Sequence, residues 1–205
     1  MKTLKSITRS IAFTGMAAGF MAAGLFATSA PVMAEEEAAS DWSFSGNIAL
    51  TNDYVYRGFT QTNEDFAVQG GFDLEHSSGF YAGVWASNLE FLDETNGNSS
   101  SIEIDLYGGY AGDFGNSIFS YDIGVIYYAY PGAPKGSHYE FWEFGLTLGA
   151  DAGFAAFSAG FWFSPDFFGG IGDAIYIPLG VEVPIPLGNS DGWSLSFSGE
   201  IAYNK

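Results

Sequence analysis

The strongest constraint on this chain is a side-chain alternation that restarts, segment after segment, along most of its length. It is cleanest over 101–111, Ser-Ile-Glu-Ile-Asp-Leu-Tyr-Gly-Gly-Tyr-Ala. Ile102, Ile104 and Leu106 share one parity; Glu103, Asp105 and Tyr107 share the other. Successive side chains of a strand point to opposite faces, so this strand has one apolar face and one bearing two carboxylates. A strand of a soluble sandwich also alternates, with its polar face in water. Here the pattern recurs in segments of about ten residues with aromatics towards their ends, the length a tilted strand needs to cross a bilayer. The expectation is an all-β fold: an antiparallel up-and-down transmembrane β-barrel, lipid outside and a polar lumen inside.

Nine segments can be traced: 42–59, 66–76, 80–90, 101–111, 118–129, 139–150, 154–164, 174–184 and 193–203. In the first, Trp42, Phe44, Ile48, Leu50, Tyr54 and Tyr56 fall on the apolar parity, and Asp53 and Arg57 on the other. The connections alternate in length for most of the chain. Long polar ones near 61–65, 91–100, 130–138 and 164–173 would lie outside the cell, and short ones near 77–79, 112–116 and 151–153 in the periplasm. Outer-membrane barrels sort their loops this way; a soluble meander has no reason to.

Residues 1–34 read as a secretory signal peptide. Lys2, Lys5 and Arg9 precede an apolar stretch, and Val32-Met33-Ala34 gives small residues for cleavage after Ala34. The barrel domain is then 35–205, opening on an acidic leader. Of the 6 Lys and Arg only Arg57, Lys135 and Lys205 remain, against all 24 Asp and Glu, a net charge of −21. That charge disfavours nucleic acid and anionic surfaces as partners. With no cysteine, disulfide and thiol-metal chemistry are excluded. After the signal no apolar run reaches the roughly 18 residues of a spanning helix.

The sequence is poor in catalytic signals. Only His76 and His138 could serve as imidazole bases, and both sit at segment ends. The one Gly-x-Ser-x-Gly string, Gly188–Gly192, falls in the turn before the last strand segment and not on a strand-to-helix elbow. The loop Asp93–Asn98 fails the spacing of a calcium loop, and carboxylates such as Glu103, Asp105 and Glu143 lack the cleft a glycosidase needs. No enzymatic activity and no cofactor are expected. Asp73, Glu75, Glu103, Asp105, Asp122, Glu143, Glu182 and Glu200 instead share the inward parity of their segments. Such a lining attracts cations and repels anions over about a Debye length, roughly 8 Å at physiological salt. Arg57, the one base within a segment, is expected to pair with inward carboxylates such as Asp53 or Glu103.

Several linked motifs carry a family resemblance. They are Asp53-Tyr54-Val55-Tyr56-Arg57-Gly58, Gln69-Gly70-Gly71-Phe72, Tyr81–Asn88, Glu103–Tyr110, Tyr130-Pro131-Gly132 and Ser164–Gly170. In this order they resemble the TorF family of porins over nearly all of the chain after the signal. The resemblance implies a barrel in the outer membrane of a Gram-negative bacterium and names no substrate. One departure is the end at Ala202–Lys205, where related barrels run on to a strand-terminal aromatic. Nine strands is also odd, whereas bacterial single-chain barrels have even numbers. The expectation is therefore a barrel of ten or more strands, incomplete after Tyr203.

Two functions of different class follow. The first is a channel for passive diffusion of small polar or cationic solutes, with outer-membrane lipid as its surroundings. The alternative is a small structural or adhesive barrel, plugged by side chains such as Trp85, Tyr107 and Trp162, whose outer loops bind a partner. A soluble periplasmic lipid-binding barrel would need polar outward positions, where this chain places Phe, Trp and Ile.

Overall fold

The computed structural model describes residues 40–90, 100–185 and 195–205. The signal peptide, most of the acidic leader, the Asp93–Asn98 loop and the stretch 186–194 lie outside the described residues.

The strands are β1 (Trp42–Thr51), β2 (Val55–Tyr56), β3 (Phe59–Thr60), β4 (Ala67–His76), β5 (Phe80–Asn88), β6 (Ile102–Asp113), β7 (Phe119–Ala129), β8 (Phe141–Asp151), β9 (Ala156–Ser164), β10 (Ala174–Ile185) and β11 (Leu195–Asn204). Nine form one antiparallel sheet in chain order, β1-β4-β5-β6-β7-β8-β9-β10-β11, while β2 and β3 pair only with each other. This is the up-and-down topology of a β-barrel, with each strand hydrogen-bonded to its sequence neighbours. It is not closed: β1 and β11 have no partner on their outer edges among the described residues.

The register keeps the two faces of the alternation in phase across strands. Ile123 lies opposite Leu146, which lies opposite Phe161; Asp122 lies opposite Thr147, which lies opposite Gly160. Because side-chain period is two, this phase sends every apolar set to one face. Burial then runs inside-out relative to a water-soluble domain. Asp105 is 3% exposed and its neighbour Leu106 52%; Glu143 is 1% exposed between Trp142 at 49% and Phe144 at 50%. Connections are long at one end of the sheet, at 61–66, 89–101, 130–140 and 165–173, and short at the other, at 77–79, 114–118 and 152–155, with the nine residues of 186–194 departing from the pattern.

The sequence reading needs one large correction. The first segment is not a single strand to Phe59. β1 stops at Thr51, and the chain leaves the sheet to make the β2–β3 hairpin. Tyr54 and Tyr56 are therefore not on the outward face: Tyr54 is 2% exposed, and the hydroxyls of both reach carboxylates on β6 and β8. The alternation beyond Asn52 reports a different pair of strands, so its parity says nothing about the faces of β1.

Candidate functional site

The hairpin is built by local chemistry. Val55 pairs with Thr60 and Tyr56 with Phe59, leaving Arg57 and Gly58 as a two-residue turn. Both have positive φ, +48° and +89°, as a type I′ turn requires. For Arg57 the left-handed backbone costs roughly 1–2 kcal/mol. Asp53 does not face a lumen from β1. It ties the hairpin base, accepting from the Thr60 hydroxyl at 2.6 Å and lying 3.1 Å from the Thr62 hydroxyl. The Tyr54 carbonyl accepts from Gln61 N–H at 2.6 Å.

This hairpin enters the interior of the curled sheet and meets the acids there. Arg57 donates from Nη2 to both Glu143 oxygens, at 2.7 and 2.9 Å, with the two side chains 6% and 2% exposed. Glu143 also accepts from the hydroxyls of Tyr128 at 3.1 Å and Tyr56 at 3.4 Å. The guanidinium lies 4.1 Å from the Tyr176 ring centroid, 4.8 Å from Tyr56 and 5.9 Å from Phe167. The expected partners Asp53 and Glu103 are not Arg57's partners: Asp53 is held at the hairpin base and Glu103 by tyrosines. Burial opposes the charge of Arg57, but Tyr56 and Glu143 beside it more than offset this and hold its pKa above the ordinary value.

The remaining acids follow a rule that parity alone does not reveal: most are held by tyrosine hydroxyls. Glu103, 2% exposed, accepts from Tyr54 at 3.0 Å and Tyr130 at 3.2 Å. Both donors lie outside the sheet strands, and burial followed by the Glu103 charge pushes their pKa well up, so they stay protonated and donating. Asp122 accepts from Tyr81 at 2.7 Å, Glu200 from Tyr176 at 2.6 Å, and Asp73 from Tyr107. A hydrogen bond to a charged group contributes about 1.5–3 kcal/mol, so these pairs fix the inner wall as well as its charge. Glu75, Glu182 and Glu200 are exposed. Asp105 is buried beside Glu103, one of its oxygens lacking a partner, and one Asp122 oxygen is likewise unpaired.

The inner wall owes its shape to glycines. Gly83, Gly109 and Gly145 lie opposite Tyr107, Tyr81 and Trp162, and a Cβ at any of them would overlap the facing aromatic side chain. Glycine lets each aromatic lie over its neighbour strand. Tyr107 and Trp162 thus pack along the wall, and Trp85 sits edge-on to Tyr54 with centroids 5.5 Å apart. Trp162 belongs to a buried cluster with Ile126, Tyr128, Phe141 and Tyr176, against which both Tyr107 and Tyr56 of the hairpin pack.

Among the described residues no group of three acidic or histidine side chains is placed to hold a metal. His76 bonds Ser78 at a short turn, and His138 sits in the 130–140 connection, where its carbonyl accepts from Gly169. Neither histidine is hydrogen-bonded to a lumen carboxylate among the described residues. Residues 35–204 match the model of a family described as a bacterial protein of unknown function, Gcw_chp. No curated protein and no solved structure matches.

Proposed function

The chain belongs to the Gcw_chp family of bacterial proteins, and we propose that it is an outer-membrane barrel passing small polar solutes by passive diffusion, with a preference for cations. The observation that carries this reading is the inside-out burial. Glu103, Asp105, Asp122 and Glu143 are 1–4% exposed inside, while Leu106, Ile123, Phe144 and Leu179 are 50–56% exposed outside. A contiguous apolar exterior on this scale needs lipid or a partner to cover it. The sorting of long and short connections to opposite ends and the resemblance to TorF porins support the same reading. The signal peptide supplies the export route. The mechanism involves no covalent step. Hydrated cations concentrate in a lumen lined by carboxylates, and anions are repelled.

One observation favours the plugged-barrel alternative: the hairpin occupies the interior, with Tyr54 2% and Glu143 1% exposed. Planar-bilayer conductance separates the two. The porin reading expects discrete conductance steps and, in a potassium chloride gradient, a reversal potential of the sign for cation preference. Absence of steps from folded protein would favour the plugged barrel, and anion preference would overturn the selectivity mechanism.

A further inference from the structure

Arg57 is a guanidinium on a tether, and most of what holds it comes from elsewhere in the fold. Glu143 on β8 supplies the carboxylate, Tyr176 on β10 the nearest ring face at 4.1 Å, and Phe167 of the 165–173 connection a further one at 5.9 Å. Tyr56, from the hairpin itself, adds a ring at 4.8 Å. A carboxylate flanked by aromatic faces is a receptor for a planar organic cation, which gains charge pairing and stacking together. A metal ion would instead require several oxygen ligands, and no such group is placed for one among the described residues.

The tethered occupant fits this receptor incompletely. Only Nη2 of Arg57 finds an acceptor; Nε and Nη1 are buried without one. One Asp105 oxygen is buried without a donor. The Arg57 backbone also sits at φ +48°, a conformation an L side chain adopts at a cost. Unsatisfied donors and backbone strain both weaken the hold of the hairpin tip, and a free cation carries neither the tether nor the strained backbone.

We propose that Glu143, Tyr176 and Phe167 form a binding site for small guanidinium-class organic cations, which Arg57 occupies in cis. The hairpin is then an exchangeable plug: a soluble guanidinium takes the place of Arg57 on Glu143, and the hairpin tip yields. This names the solute class for the porin reading and rests on that reading for transport, whereas binding is measurable in detergent without it.

The test is chemical rescue. Folded Arg57→Ala protein in detergent is titrated with methylguanidinium chloride, with sodium chloride at matched ionic strength as control, and thermal unfolding is followed. The tether makes Arg57 an intramolecular competitor for Glu143, so wild type should need more cation than the variant for the same stabilisation. Arg57→Ala should show a saturable rise in Tm with methylguanidinium and none with sodium. Arg57→Ala combined with Glu143→Gln should lose the response. If Arg57→Ala does not fold alone, refolding with methylguanidinium should restore the folded, heat-modifiable band. Equal responses to the two salts, or no rescue of stability or folding, overturn the site. Rescue without wild-type conductance would instead leave the site standing and sink the porin reading.

Discussion

The Arg57 guanidinium and the Glu143 carboxylate, 86 residues apart in the chain, form a buried ion pair at 2.7 Å across the interior of the sheet. Removing one member of such a pair strands the other charge, at a cost of about 3–5 kcal/mol. Arg57→Ala and Glu143→Ala should each lower stability by about that amount, and the double variant by clearly less than the sum. Urea unfolding of the vesicle-inserted protein gives the cycle. Additive losses would mean that the two charges are not coupled.

The two faces of the sheet should respond oppositely to charge. Val125→Arg or Leu146→Arg places a cation on the outward face and should cost about 2–4 kcal/mol in a bilayer. Asp122→Asn keeps an acceptor for the Tyr81 hydroxyl and should change stability by no more than about 1 kcal/mol. The same unfolding assay ranks all three, and equal defects would remove any membrane meaning from the faces.

Gly145 is opposite Trp162, whose ring occupies the space of a Cβ. Gly145→Ala should therefore displace the indole and cost about 1–3 kcal/mol. Gly199 has open space and an ordinary φ, so Gly199→Ala should be neutral or slightly stabilising. Comparing the temperatures at which each folded band is lost on a gel checks the contrast.

Glu103 has two tyrosine donors, Tyr54 and Tyr130. Either Tyr→Phe change leaves one in place and should cost about 1.5–3 kcal/mol. Losing both leaves a buried carboxylate with neither phenol, so Tyr54→Phe with Tyr130→Phe should exceed the sum of the singles. Denaturant midpoints for the three variants decide it.

The bodies of the sheet strands were legible because lipid-type alternation is written locally. Ile102-Glu103-Ile104-Asp105 declares its two faces without reference to any other strand. The hairpin was not legible in the same way. Val55-Tyr56-Arg57-Gly58-Phe59-Thr60 continues the β-forming composition of β1, so side-chain parity runs on through Asn52 and Asp53 with no local sign of the bend. The missed signal was Arg57-Gly58 between two short β-forming pairs, a two-residue turn with glycine at its second position. The partner of Arg57 could not be read at all, since choosing Glu143 over Asp53 depends on how far the sheet curls. The tyrosine donors were within reach of the sequence: Tyr81, Tyr107, Tyr128 and Tyr176 share the inward parity of their strands. Parity places them inside without saying which carboxylate each one holds.

The hairpin also imposes an order of events. Every pairing in the large sheet joins strands adjacent along it, so the sheet can grow by successive hairpins, each closing a short loop. Arg57 cannot join that sequence. Its acceptor is on β8 and its nearest ring on β10, so a segment near the start of the sheet has no seat until eight of the nine sheet strands exist. If the sheet grows in that order, most of the wall stands before Arg57 has anywhere to sit, and one of the earliest segments of the chain is among the last to be seated.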